Sequence, residues 1–219
     1  DEDCGELRAS WDGKWNDRPC TAQIYCLCSG KSPTVQPTQT PMPTGEVIFD
    51  PFNSFNPSIW DAQCSGCTYS GGSLFVLGHD QFMRTVSKHE VRNILASLTK
   101  DSSCDDHLIV LTEESNLAWN WGTTAGNVKF VWNCDSKYIY GQASSTWTSC
   151  STNRDYAIEI EVTSSSVSFY DDHCGTLTKD DTIGASPVYV YLGADADESV
   201  SAEWHFLEIR ETRAPTPYS

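Results

Sequence analysis

Residues 156–162 carry two glutamates, Glu159 and Glu161, at a spacing that could serve acid–base chemistry. Hydrolysis of a glycosidic bond uses two carboxyl groups, one on each side of the scissile bond. The residues between and around the glutamates are apolar, so in a β-strand one face is buried and both carboxylates lie on the other, in solvent. A pair of this kind is typical of a solvated surface, and we do not expect catalysis there.

A serine or thiol nucleophile is no better supported by the sequence. The Gly-x-Ser-x-Gly turn of the serine hydrolases does not occur, and the five histidines have no spacing typical of a catalytic triad. Residues 64–67 read Cys-Ser-Gly-Cys, a spacing found in redox and zinc sites. A second C-x-x-C and a βαβ context are both missing, so this pair favours a disulfide that closes a short loop.

Aromatic residues suggest a surface for sugars, which stack on exposed rings and hydrogen-bond to Asn and Asp. Residues 116–121 read Asn-Leu-Ala-Trp-Asn-Trp, which places Trp119 and Trp121 on one face of a strand. Those two indoles either fill the core or form a sugar platform. Trp147, in the polar segment Ser-Ser-Thr-Trp-Thr-Ser-Cys, is the better candidate for an exposed ring and is predicted to lie in a loop.

Acidic turns are candidate calcium sites, because Ca²⁺ takes oxygen ligands. Asp195, Asp197 and Glu198 are predicted to gather in a loop after a strand, and residues 170–173 offer a second acidic corner. Neither segment has the spacing of an EF-hand, so a solvated turn is the alternative. Calcium is therefore the one cofactor that the sequence suggests.

Composition and charge exclude several classes of function. The 219 residues carry a formal charge of −16, which argues against partners with phosphate backbones and against anionic membrane surfaces. The absence of any apolar run of 18 residues argues against a membrane-spanning helix. Length and composition are those of an ordinary globular protein with one or two domains.

Ten cysteines, an even number, indicate an oxidising compartment and therefore a secreted or cell-surface protein. No signal peptide is visible, and a processed, mature chain is the simplest account. Beyond Cys64–Cys67, the predicted disulfides are Cys134–Cys150, across a hairpin, and Cys104–Cys174. Spacing alone does not fix this connectivity.

Short apolar or alternating runs recur along residues 45–212, separated by clusters of Gly, Ser, Asn and Asp that form turns. The predicted strands are 47–49, 74–77, 108–111, 128–132, 156–162, 167–170, 188–192 and 204–209. This pattern predicts an all-β fold, an antiparallel jelly-roll β-sandwich.

A Pro/Thr-rich segment, residues 32–44, divides the chain. Such a stretch stays extended and does not join a core, so it is predicted to be a linker between a small Cys-rich module (1–31) and the sandwich (45–212). Residues 213–219 have a similar composition and are predicted to start a second Pro/Thr tail. The threonines of the linker are candidate O-glycan acceptors: Thr34, Thr38, Thr40 and Thr44.

The first module contains Trp15-Asn16-Asp17 followed by Cys20 and, at Cys26, by a further cysteine after an aromatic residue. This run resembles the last stretch of a C-type lectin domain over about 25 residues. The resemblance implies that Asn16 and Asp17 ligate calcium and that Cys4 pairs with Cys20. Upstream residues complete the calcium site in that family, and two side chains supply too few ligands. We expect a remnant without a working site.

The large module opens with an acidic-aromatic strand, a Phe-Asn-x-Phe-Asn turn, a Trp and a Gly-Gly-x-Leu strand, and it closes with Ala-Glu-Trp-His-Phe-Leu-Glu-Ile-Arg. This succession resembles the concanavalin A-like lectin/glucanase sandwiches, including the LamG-like modules. In hydrolases of that superfamily the carboxylates lie on one strand as Glu-x-Asp-x-(x)-Glu, and the segment around Glu159 lacks the Asp and the last Glu.

From these features we expect a non-enzymatic, secreted, modular glycoprotein that binds glycans or extracellular matrix. The alternative is a structural, self-assembling subunit of an extracellular filament or coat. A glycoside hydrolase is the less favoured interpretation, because a complete set of carboxylates is missing.

Overall fold

The computed structural model describes residues 4–7, 15–17, 27–28, 46–61, 64–78, 80–100, 106–115, 125–133, 135–150, 155–195 and 201–211. The chain divides into two compact units, Asp1–Met42 and Pro43–Ser219. In the described residues no helix is long and apolar enough to cross a membrane.

The first unit contains a small antiparallel sheet of β1 (Cys4–Leu7), β2 (Trp15–Asp17) and β3 (Leu27–Cys28), in the order β2-β1-β3. Asn16 and Asp17 therefore belong to a strand, opposite Glu6 and Gly5 of β1. Cys4 lies opposite Cys28 in the register of β1 with β3. Cys20, its predicted disulfide partner, lies outside the described residues, as do the four candidate O-glycan threonines.

The second unit is a sandwich of two antiparallel sheets, and this confirms the predicted fold class. Its strands, in chain order, are β4 (Val47–Asp50), β5 (Cys67–Ser70), β6 (Ser73–Leu77), β7 (Gln81–Arg84), β8 (Val91–Lys100), β9 (Asp106–Thr112), β10 (Asn127–Trp132), β11 (Ser136–Tyr140), β12 (Ser145–Ser149), β13 (Asp155–Val162), β14 (Ser166–Asp171), β15 (Gly175–Asp180), β16 (Tyr189–Asp195) and β17 (Ser201–Glu211). A short 3₁₀ helix, Ile183–Ala185, precedes β16.

One sheet has six strands in the order β12-β11-β10-β9-β16-β7. The other has eight strands in the order β15-β14-β13-β8-β17-β6-β5, with β4 also paired to β17. Seven of the eight predicted strand segments fall within an observed strand, and the eighth, 188–192, begins one residue before β16. Strands β13 and β14 form a hairpin in which Val162 pairs with Val167.

Alternation along each strand fills the space between the sheets with apolar side chains. In β13 each even-numbered residue from Tyr156 to Val162 is buried and each odd-numbered one is exposed. The centre of the core is aromatic: the ring of Trp132 lies edge-on to those of Phe169 and Trp204, at centroid distances of 4.2 and 6.2 Å. Aromatic packing of this kind contributes stability beyond the burial of surface.

The eleven-residue β17 organises the eight-stranded sheet, because it pairs with β8 on one side and with both β6 and β4 on the other. Its register with β8 shifts between Trp204 and Phe206, so His205 is the extra residue of a β-bulge. The bulge keeps Trp204 and Leu207 in the core while His205 and Phe206 are both partly exposed.

Two disulfides lie in the described part of the chain. Cys64 and Cys67 form the loop-closing bond that their spacing favours. Cys150 pairs with Cys174, so the predicted pairings Cys134–Cys150 and Cys104–Cys174 are wrong. The hairpin that motivated the first pairing exists, as β11 and β12, but Cys150 follows β12 at a point where the turn between β14 and β15 approaches it. The bond therefore joins one sheet to the other.

Candidate functional site

The outward side of the six-stranded sheet carries a concentration of aromatic rings. Strand alternation places these residues opposite the core: on β9, Ile109 and Leu111 face inward, whereas Leu108 and Val110 belong to a second apolar cluster on the outer side. We call this surface the aromatic face, and its rings are Phe82, Tyr138, Tyr140, Trp147, Tyr189 and Tyr191.

Three of these rings form a continuous group at one side of the sheet. Tyr138 stacks on Tyr140, two residues along β11, with centroids 5.6 Å apart. It also stacks on Trp147, its register partner on β12, at 6.2 Å. The side chain of Trp147 is exposed, at 61% of its full accessible area. Trp147 lies in a strand and not in the predicted loop.

At the other edge of the aromatic face, where β16 pairs with β7, cationic side chains lie next to an aromatic ring. The guanidinium of Arg84 lies 4.9 Å from the ring centre of Tyr189, and the ammonium of Lys88 lies 5.5 Å from it. Arg84 also donates to the carboxylate of Asp61 and to the backbone carbonyl of Ser115. The hydroxyl of Tyr191 donates to the same carbonyl, at 2.8 Å. These bonds fix the orientation of the two side chains.

The middle of the aromatic face is polar and buried. Asn127 and Lys129 alternate outward along β10, and both are buried. Burial lowers the pKa of the Lys129 ammonium. The side-chain oxygen of Asn127 is buried and makes no hydrogen bond within the described structure. A buried acceptor without a partner is costly, and a ligand hydroxyl that reached it would satisfy it.

The carboxylate of Asp106 lies at the end of the aromatic face where β9 begins. Asp106 is 5% exposed and accepts a hydrogen bond of 2.6 Å from the side-chain nitrogen of Asn133. Burial, reinforced by the charges of Tyr138 and Asp106, raises the pKa of the Tyr140 hydroxyl. Asp195 is the register partner of Asp106 on β16. Two acidic residues of neighbouring strands are therefore opposite each other in register at this end.

The glutamates singled out from the sequence lie elsewhere. Glu159 and Glu161 are exposed on the outer side of the eight-stranded sheet, as the alternation predicted. The side-chain nitrogen of Asn93 donates to Glu159 at 2.8 Å. Both carboxylates are separated from the aromatic face by the thickness of the sandwich.

The other predicted site residues are placed only in part. Asp195 ends strand β16, so it does not belong to the loop in which it was expected. Asp197, Glu198, Trp119 and Trp121 lie outside the described residues. The acidic corner at residues 170–173 is a structural turn: Asp171 is buried and accepts hydrogen bonds from the backbone amides of His173 and Cys174.

No protein-family model matches the sequence, and no curated protein matches it either. The structure, in contrast, is similar to many solved structures. The β-glucanase of Bacillus licheniformis superimposes with a TM-score of 0.56 at 10% identity, over 77% of this chain and 99% of the other. The catalytic domain of the Thermotoga maritima laminarinase gives 0.58 at 10% identity, over 78% and 99%. The Crh5 transglycosylase gives 0.57 at 11% identity, over 76% and 85%.

The chain has the same β-sandwich fold as these glucanases. At these identities the likeness is one of fold, and it bears out the coarser part of the resemblance noted in the sequence. The expectation of a non-enzymatic binding module or structural subunit is contradicted, because the matched structures are glucanases, laminarinases and a transglycosylase. The expectation rested on the incomplete carboxylate pattern around Glu159, which lies on the outer side of the eight-stranded sheet, away from the aromatic face.

Sequence reasoning missed most of the aromatic face. A signal was present: Tyr138 and Tyr140, and likewise Tyr189 and Tyr191, are spaced by two, which places both rings of each pair on one side of a strand. Asn127 and Lys129 have the same spacing, but the predicted strand 128–132 begins one residue after Asn127. What the sequence did not reveal is that β10, β11 and β16 belong to one sheet.

Proposed function

We propose that this protein is a carbohydrate-active enzyme that binds a polysaccharide along the aromatic face and cleaves or transfers its glycosidic bonds. The observation that carries the proposal is the continuous group of Tyr140, Tyr138 and Trp147 rings beside the unpaired acceptor of Asn127. Stacked rings bind the apolar faces of sugar rings, and a buried acceptor selects a hydroxyl. The fold shared with glucanases and a transglycosylase supports glycosidic bonds as the target.

The chemistry needs two carboxyl groups, about 5–5.5 Å apart for a retaining reaction and about 6.5–9.5 Å apart for an inverting one. On the aromatic face β10 presents Asn127, Lys129 and Val131 outward, so it does not supply a Glu-x-Asp-x-(x)-Glu pattern. Asp106 and its register partner Asp195 are the acidic residues on the described strands of this sheet. We assign them as the candidate acid and base.

The proposal is tested by incubating the purified protein with laminarin, a mixed-linkage β-glucan and chitin oligosaccharides. Released reducing ends report hydrolysis, and mass spectrometry of labelled acceptors reports transfer. We expect one of these substrates to react and D106N to lower the rate at least about 100-fold, because an acid–base group contributes roughly 10²–10⁴-fold. D180N, which alters an exposed carboxylate of the eight-stranded sheet, is the matched control.

Two results would overturn the proposal. If the wild-type protein binds these polysaccharides and leaves every glycosidic bond intact, it is not an enzyme of this class. If it cleaves them and D106N is as active as D180N, the site lies elsewhere.

The proposal extends to the first module, to the linker and to the compartment in which the protein works. We regard residues 4–28 as a C-type-lectin-like remnant, the linker as O-glycosylated, and the protein as secreted; the two disulfides described above support an oxidising compartment. Calorimetric titration of the metal-stripped protein tests for calcium binding. The candidate ligands are Asn16 and Asp17 in the first module, and Asp195, Asp197 and Glu198 in the second.

A further inference from the structure

Four polar side chains form a chain of hydrogen bonds on the outer side of the eight-stranded sheet, away from the aromatic face. Nδ1 of His205 lies 3.0 Å from the hydroxyl of Ser73, and Nε2 of the same ring lies 2.7 Å from the hydroxyl of Thr99. The Thr99 hydroxyl in turn lies 2.6 Å from a carboxylate oxygen of Asp155. The four residues come from β6, β17, β8 and β13.

The direction of the protons in this chain follows from the chemistry of its members. An ionised carboxylate only accepts, so the single proton of the Thr99 hydroxyl points to Asp155. The oxygen of Thr99 is then the acceptor for Nε2–H of His205. In the neutral ring the other nitrogen, Nδ1, has a free lone pair, and it receives the proton of the Ser73 hydroxyl. Asp155 therefore orients the ring through Thr99, and the ring is directed as a base at Ser73.

The bulge in β17 creates this arrangement. Because His205 is the extra residue, its ring lies between the hydroxyls of the two strands that flank β17. Bulges often redirect a side chain next to a functional site. Glu203 lies two residues earlier, with a carboxylate oxygen 3.8 Å from Nδ1 of His205. Its charge would stabilise the imidazolium that forms when the ring takes a proton.

We propose that Ser73, His205, Thr99 and Asp155 form a second, esterase-type site that takes small acyl esters. In the reaction the Ser73 oxygen bonds to the acyl carbon, its proton passes to Nδ1 of His205, and the ester C–O bond breaks. The ring then gives the proton to the departing alkoxide, and water releases the acyl group by the same steps. Ser73 is 5% exposed and the His205 side chain is 36% exposed, so approach past the imidazole favours a small acyl group.

The test uses the full chain with a fluorophosphonate probe, which reacts with activated serines, and with p-nitrophenyl acetate. Mass spectrometry of the labelled protein should place the phosphonate on Ser73. We expect H205A to reduce both labelling and acetate release at least about 100-fold. H205Q, which retains a hydrogen-bonding side chain of similar size and cannot accept the proton, should show the same loss even if H205A fails to fold.

The matched control is S168A, which removes an exposed hydroxyl of the same sheet that is bonded to Thr178. It should label and turn over like the wild type. The proposal is overturned if the wild type is not labelled at Ser73, or if H205Q is labelled as fast as S168A. Either result leaves the proposed polysaccharide site untouched, because that site lies on the other sheet.

Discussion

The ammonium of Lys137 lies 3.0 Å from a carboxylate oxygen of Asp171, and both side chains are completely inaccessible to solvent. Lys137 belongs to β11 of the six-stranded sheet and Asp171 to β14 of the eight-stranded sheet. The ammonium also donates to the carbonyls of Phe169 and Gly175. Burial lowers the pKa of Lys137, and the hydrogen bond and charge of Asp171 oppose that shift. The pair therefore joins the two sheets at the cost of desolvating both charges.

Removing one member of this pair should destabilise the protein strongly. We expect K137M to lower the free energy of unfolding by about 3–5 kcal/mol, because it leaves the charge of Asp171 buried and unpaired. The double variant K137M/D171N removes both charges and keeps a side-chain oxygen for the amides of His173 and Cys174, so it should be more stable than K137M alone. Urea unfolding measures both values. R210M, which removes a partly exposed pair with Glu208, should change stability by no more than about 1 kcal/mol.

The disulfide Cys150–Cys174 should contribute more to stability than Cys64–Cys67. Its cysteines are 24 residues apart, against three for the other bond, and a longer closed loop restricts the unfolded chain more. We expect C150S/C174S to cost about 2–4 kcal/mol and C64S/C67S less. Peptide mapping of the unreduced protein checks the pairing itself, and a Cys134–Cys150 peptide would contradict the structure.

Trp147 should contribute to binding of a polysaccharide and not to folding. Its ring is exposed and rests on Tyr138, so W147A removes a stacking surface without opening the core. We expect the affinity for the preferred polysaccharide to fall about tenfold or more, and the free energy of unfolding to change by less than about 0.5 kcal/mol. Y170A, which removes an exposed ring of the eight-stranded sheet, should bind like the wild type. Equal affinities of W147A and Y170A would exclude the stacking role.

Alkaline pH should destabilise the fold in part through Tyr69. Burial, with a smaller contribution from the charge of Asp50, raises the pKa of this hydroxyl, which donates to the sulfur of Met83. The folded state keeps the proton above pH 10 while the unfolded chain, with a pKa near 10, loses it. Stability is therefore complete below about pH 10 and falls as pH rises above it.

Substitution tests this assignment directly. Y69F should reduce the loss of stability above pH 10 by up to about 1.4 kcal/mol per pH unit, the value for one proton. Urea unfolding at pH 9, 10 and 11 measures it. An unchanged slope in Y69F would show that Tyr69 does not titrate differently in the two states.

The sandwich could be predicted because strands such as β13 bury one face and expose the other. The segment around Ile158 and Ile160 shows this alternation without interruption. The strands that were not predicted are polar or mixed in composition. In β12, Trp147 is flanked on both sides by Thr and Ser. In β8, the apolar Leu95 is partly exposed between the buried Ile94 and Ala96, so the sequence does not alternate between apolar and polar residues there. Their place in a sheet is decided by hydrogen bonding to neighbours and not by their own composition.

The sites could not be predicted because they are assembled from strands far apart in the chain. Asp106 meets Asp195 only through the pairing of β9 with β16, and His205 meets Ser73 and Thr99 only through β17. The Lys137–Asp171 pair is a similar case, since a lone lysine in a strand predicts an exposed side chain. Spacing in the sequence carries information about one strand at a time.

The central position of β17 has a consequence for biosynthesis. Ser73 and Thr99 precede His205 by 132 and 106 residues, so β6 and β8 leave the ribosome long before the strand that lies between them. At roughly 5–20 residues per second, the gap lasts about 5–25 seconds. During that interval β6 and β8 each have a vacant pairing edge, so we expect the nascent chain to need protection from pairing with other strands.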